Sequence, residues 1–126
     1  MGCFEDLAIW SDARRLSFIV FRTMHSSTSN VDFRFRSQIL SSAGSVMDNI
    51  AEGYERNGNQ ELLQFLSIAK GSCGETRSQI YRAFDFGYIN EDQMKTLLDL
   101  TRKISSQISS LQTYLRKSDL KGAKYK

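Results

Sequence analysis

Apolar residues recur along this chain at intervals of three and four, the period of a helix buried on one side, and they do so in four separate runs. The last run is the most regular. Met94, Leu97, Thr101, Ile104, Ile108, Leu111 and Leu115 form a heptad seam. Asn90 stands where this helix needs an N-cap, with Gln93 three residues on as in a capping box. Glu91 and Asp92 suit the positive end of its dipole. Leu62, Leu66, Ala69, Cys73, Thr76, Ile80 and Phe84 predict a third helix from about Gln60 to Phe86. Gly87 follows it, suited to the left-handed C′ position, with Tyr88 placed to pack back on the last turn. The link Gly87-Tyr-Ile-Asn90 is short, so the third and fourth helices are expected as antiparallel neighbours.

Ile39, Ala43, Val46, Met47, Ile50 and Tyr54 predict a second helix from about Phe35 to Arg56. Asn57-Gly58-Asn59 signals a turn, with Gly58 able to take positive φ and either asparagine able to cap the next helix. Ile9, Ala13, Leu16, Val20 and Met24, with Trp10 and Phe21 beside them, predict a first helix from about Phe4 to Met24. His25-Ser-Ser-Thr-Ser-Asn30 reads as a loop. The brief alternation Val31-Asp-Phe-Arg-Phe-Arg36 reads as its end and the start of the second helix. The expected fold is all-α, an up-down-up-down antiparallel four-helix bundle over residues 1–117 with a basic C-terminal tail at 118–126.

Composition agrees with one domain. The chain has 126 residues, 40% of them hydrophobic and 25% charged, and its lack of proline suits long uninterrupted helices. No apolar run approaches the ~20 residues of a membrane helix. Glu5 and Asp6 come too early for a signal peptide, so a cytoplasmic protein without membrane association is expected. Cys3 and Cys73 are too few for a disulfide scaffold, and Cys73 reads as a small buried hydrophobe. The net charge of +3 belongs to the end of the chain, where Arg116, Lys117, Lys121, Lys124 and Lys126 face only Asp119. Such a tail either binds phosphate through counterion release or keeps the protein soluble.

Candidate chemistry is sparse. His25 is the only histidine and lies in a serine-rich loop, where nothing else points to a nucleophile relay. There is no Glu-x-x-His pair for a bundle di-iron site, no zinc pattern and no phosphate-binding glycine motif. No catalytic residue, metal, cofactor or small-molecule substrate is expected, and the chain is not expected to be an enzyme.

The polar positions carry more information. Gln38, Ser42, Ser45, Asn49, Glu52 and Arg56 follow helical steps beside the apolar face of the second helix, and Ser72, Glu75 and Gln79 do the same on the third. In an antiparallel hairpin these flanks can meet, with Arg56 or Arg77 as a charge partner. Three readings stay open: a solvated face, a hydrogen-bond network within the bundle or between subunits, or a ligand or nucleic-acid site. Gly44, Gly71 and Gly74 each cost ~1 kcal/mol relative to alanine inside a helix. They point to close packing, within the bundle or against another subunit. Phe33, Phe35, Tyr81 and Phe86 exceed what one core holds, and surplus apolar surface of this kind marks association.

The stretch from Ser37 to Asn90 resembles the four-helix bundle proteins of the 23S rRNA intervening-sequence family. The matching positions are Gln38, the run Asn49-Ile50-Ala51-Glu52-Gly53, Arg56, Phe65-Leu66, Ile68-Ala69, Gly71-Ser72 and Glu75. The start Phe4-x-x-Leu7-x-x-Trp10 extends the likeness to nearly the whole chain. The resemblance implies a non-catalytic bundle that assembles as a homopentamer, a scaffold or interaction module whose motif residues are structural. It also implies kinship with the accessory proteins of diversity-generating retroelements. That makes a nucleic-acid-binding role (RNA or DNA), alongside a reverse transcriptase or rRNA, the alternative. One departure matters: Leu40 and Ser41 stand where family members usually carry a basic pair. This leaves Arg14, Arg15, Arg22 and Arg34, with Arg116, Lys117, Lys121, Lys124 and Lys126, as the candidate nucleic-acid contacts.

Overall fold

The structure is a computed structural model that describes residues 2–26 and 30–124, with side chains through residue 118. It contains a short 3-10 turn at Phe4–Asp6 and four helices: α1 (Ala8–Ser26), α2 (Phe33–Glu55), α3 (Asn59–Asp85) and α4 (Glu91–Lys124). α1 and α3 each pack against both α2 and α4, which is the neighbour pattern of an antiparallel up-down-up-down bundle. Among the described residues, no helix is long and apolar enough to cross a membrane.

The core follows the apolar stripes. Leu16, Val20 and Met24 of α1 meet Ile39, Val46 and Ile50 of α2, Leu66 and Ile80 of α3, and Leu97, Ile104 and Ile108 of α4, all fully buried. Burying each such side chain is worth roughly 1.5–3 kcal/mol, which sets the bundle against chain entropy. Met47, Leu62, Met94 and Leu111 pack on the rim of this core, half-buried.

The helix ends show how local chemistry sets boundaries. Asn90 and Gln93 form the capping box: the Asn90 N–H donates to Gln93 Oε1 at 2.9 Å and the Gln93 N–H to Asn90 Oδ1 at 2.8 Å. Gly87, at φ +79°, ends α3 in a Schellman motif, with the Tyr88 N–H on the Ala83 carbonyl at 2.8 Å and the Gly87 N–H on Phe84 at 3.0 Å. α2 begins at Phe33, two residues before the expected start, because the Asp32 carboxylate accepts the Phe35 N–H at 3.1 Å.

Other boundaries differ from expectation. The first helix does not begin at Phe4. Leu7 is extended, at ψ 127°, between the 3-10 turn and α1, and Phe4 packs edge-on to Trp10 at 5.1 Å. His25 and Ser26 belong to α1 rather than to the loop, and Ser27, Thr28 and Ser29 lie outside the described residues. In the α2–α3 turn the left-handed residue is Asn57, at φ 61°, not Gly58. Gly58 is extended and is itself the N-cap of α3, so neither asparagine caps it. Residues 118–124 continue the helix of α4.

Two aromatics change place. Phe84 is 38% exposed, because Ala83 supplies the buried position of the last α3 turn. A step of four from Ile80 overshoots the core direction, and a step of three returns to it. Phe35, expected as surplus surface, is 4% exposed. It is enclosed by Phe86 at 6.0 Å, Tyr88 at 5.4 Å and the Arg82 guanidinium at 5.3 Å.

Candidate functional site

The polar flanks of α2 and α3 meet along their seam. Ser42, 5% exposed, sits at the centre. Its hydroxyl accepts from Thr76 Oγ1 at 2.8 Å and reaches both Gln79 Oε1 and the Ile39 carbonyl, at 3.2 Å from the latter. Thr76 and Gln79 are equally buried, and Gln79 continues to Glu75 at 3.5 Å. One turn along, Ser45 Oγ lies 2.9 Å from Ser72 Oγ. Asn49 Nδ2 donates to the Ser45 hydroxyl at 2.9 Å and to its carbonyl at 2.8 Å. Unpaired hydroxyls and amides cost about 1–3 kcal/mol each when buried, so this chain of bonds ties the two helices together at one register.

Above these bonds lies an open groove of about 670 Å³, bordered by Ser37, Gln38, Ser41, Ser45, Glu75 and Arg82 among others. Gln38 and Glu75 are exposed on its rim. The seam also ends in charge. Arg56 donates through Nε to Glu52 at 3.0 Å, approaches Glu61 at 3.9 Å and covers the Phe65 ring at 5.1 Å. Arg56, rather than Arg77, is thus the charge partner, and its pair with Glu52 is half-exposed on both sides.

The glycines divide sharply. An added Cβ at Gly44, Gly71 or Gly74 would meet nothing within 4 Å, so these three do not serve close packing inside the bundle. Gly53 does. A Cβ there would fall 2.7 Å from Phe65 Cβ and 3.2 Å from Leu62 Cδ1, and its neighbour Ile50 is fully buried while Ala51 is half-buried. The run Asn49 to Gly53 therefore forms a close crossing of α2 and α3 beside a polar clasp. Sequence spacing puts Thr76 in the apolar stripe; its hydroxyl instead joins the clasp, a role that only Ser42 across the seam reveals.

The remaining candidates are dispersed. Arg14, Arg15 and Arg22 are exposed on α1 and Arg34 on the first turn of α2; Arg116 and Lys117 are exposed on α4. The side chains of Lys121, Lys124 and Lys126 lie outside the described residues. Cys73 is buried between α3 and α4 and donates to the Thr101 carbonyl at 3.2 Å. Burial pushes its thiol up to about 11, against a smaller lowering by Arg77 and a backbone bond from Ser105, so it stays protonated. Among the described residues, no group of His, Cys, Asp and Glu side chains could hold a metal ion.

Comparison with known proteins places this architecture. A crystal structure of a protein with unknown function from the S23 ribosomal protein family, from Bacteroides thetaiotaomicron VPI-5482, has a similar fold. Its TM-score is 0.75 at 20% identity, covering 82% of this chain and 97% of that one. No curated protein matches the chain. The family described as 23S rRNA-intervening sequence protein matches residues 5–110, which contain the clasp, the Gly53 crossing, the first three apolar stripes and the fourth as far as Ile108. With most of its length matched, the chain belongs to the 23S rRNA-intervening sequence protein family.

Proposed function

We propose that this protein is a non-catalytic interaction module that assembles with copies of itself, as a homopentamer by its family resemblance, and works as a scaffold. The observation that carries the reading is the aromatic surface where α2 starts and α3 ends. Phe33, Phe84 and Phe86 are 76%, 38% and 55% exposed, and the Phe35–Phe86 ring contact at 6.0 Å joins the two helix ends into one neighbourhood. Covering such rings is worth roughly 1.5–3 kcal/mol each, enough to drive association when several copies share the surface. The test is size-exclusion chromatography with light scattering on Phe33→Ser/Phe86→Ser. The double variant is expected to elute as a smaller species than the parent while keeping its helical signal. An unchanged mass would remove this surface from the account.

A second reading is a nucleic-acid accessory protein, kin to those of diversity-generating retroelements, acting with a reverse transcriptase or rRNA. Its support is the exposure of Arg14, Arg15, Arg22, Arg34, Arg116 and Lys117. It expects binding to RNA or DNA that weakens steeply with salt and falls when residues 118–126 are removed. Both readings place the protein in the cytoplasm.

A further inference from the structure

The outward side of α1 carries a pattern that the bundle uses only at its start, where half-buried Trp10 packs on the core rim. Trp10, Arg14, Phe18, Phe21, Arg22 and His25 share it, at the three- and four-residue steps that align side chains on one helix face. Phe18 and Phe21 are 58% and 48% exposed. The Arg14 guanidinium lies 5.7 Å from the Trp10 ring centre and that of Arg22 lies 5.6 Å from Phe18. Phe21 rests against the His25 ring at 4.2 Å. Flat rings and cations thus alternate along about 22 Å of helix.

The charge along the middle of this face is positive. No acid occurs between Asp12 and Asp32, a stretch that holds Arg14, Arg15 and Arg22. Acids flank the face at its Trp10 end, where Glu5 and Asp6 are exposed in the 3-10 turn, and toward α4. Asp12 is neutralised by Lys103 at 3.3 Å, and Asp92 borders a small apolar pocket with Ile19 and Thr23. In a helix that lies on a lipid surface, rings and cations separate onto opposite faces. Here they interleave on the same face, the arrangement that meets alternating bases and phosphates.

We propose that this face of α1 binds a single strand of nucleic acid, with bases stacked on Phe18 and Phe21 and phosphates against Arg14, Arg15 and Arg22. A duplex hides its base faces, so the strand must be single. The length of the stripe fits about four nucleotides, at the short end of known single-strand sites. This deepens the nucleic-acid reading above by giving it a site, and it stands apart from the assembly surface at Phe33, Phe84 and Phe86.

Fluorescence anisotropy with the full chain tests it, using labelled oligo-dT and oligo-U of ~20 nucleotides and a duplex of the same length. Both single strands, or one of them, should bind more tightly than the duplex; a preference between the two tells DNA from RNA. Phe18→Ala/Phe21→Ala should weaken binding by about tenfold or more with the salt dependence kept. Arg14→Ala and Arg22→Ala should each flatten the logarithmic salt slope by about 0.7. Circular dichroism checks that these surface variants stay folded. Oligonucleotide binding that survives the double phenylalanine change would overturn the site and leave the broader nucleic-acid reading standing. Absence of binding to either strand would overturn both. A changed particle mass with unchanged binding would make the face a subunit contact, and capture by phosphatidylserine vesicles alone would make it a lipid surface.

Discussion

The α2–α3 and α3–α4 seams share one helix and are closed by different chemistry. Toward α4, the buried hydroxyl of Thr101 bonds to the Leu98 carbonyl of its own helix at 2.7 Å, and burial of Leu97, Ile104 and Ile108 does most of the work. The links across that seam are a weak thiol donor, Cys73 on the Thr101 carbonyl at 3.2 Å, and single bonds from Gln112 to Ser67 at 3.1 Å and from Arg102 to Tyr81 at 3.2 Å. Toward α2, the hydroxyl of Thr76 reaches Ser42 across the seam at 2.8 Å as well as the Ser72 carbonyl of its own helix at 2.9 Å, and the Ser42–Gln79 and Ser45–Ser72 bonds also cross the seam. An apolar seam tolerates sliding by a turn if volumes still match. A seam with buried cross-helix hydroxyls does not, since each displaced partner is left unpaired. Ser42, Ser45, Ser72, Thr76 and Gln79 all fall on the second kind of seam, where their bonds hold α2 and α3 together.

Mutations can break this contrast, and the largest effect belongs to the apolar side. Ile104→Ala should cost about 2–5 kcal/mol of unfolding free energy in urea titrations, as expected for a cavity in a closed core. Next comes Thr76→Val, which keeps shape but removes the hydroxyl that donates to buried Ser42; about 1–3 kcal/mol should be lost. Near neutrality there would show that the clasp adds no register energy.

The glycines sharpen the comparison by sign. Gly53→Ala should destabilise by about 1–2 kcal/mol despite its better helix propensity, because the added methyl meets the Phe65 Cβ. Gly44→Ala and Gly74→Ala, over open space, should stabilise the isolated bundle by about 0.5–1 kcal/mol each. Thermal melts of the three variants, measured side by side, read both signs. The smallest effect is expected at Glu52→Ala. Its half-exposed pair with Arg56 should contribute no more than about 0.5 kcal/mol, and a larger loss would move that pair into the clasp.

Much of the fold was legible because each helix repeats one rule along its length. The stripes of Ile39 to Ile50 and Leu97 to Leu115 needed only their spacing, and Asn90, Gln93 and Gly87 carry their capping roles in their own chemistry. What escaped the sequence depends on a second helix. Whether a glycine is crowded is decided by its neighbour, so Gly53 and Gly44 look alike until Phe65 is in place. Thr76 sits at an apolar step, and only the partner across the seam turns it into a polar hub. Phe35 needed Phe86 and Tyr88 folded back over it before it counted as core. The outer face of the clasp was partly legible: a solvated face is one of the readings its serines allow, whereas Gly71 and Gly74 point by spacing to close packing and have open space over them instead.

If this bundle works by assembling, sedimentation equilibrium of the unmodified chain at micromolar concentration will give a single species with the mass of a pentamer. A species with the mass of one chain, unchanged as concentration rises, would contradict it.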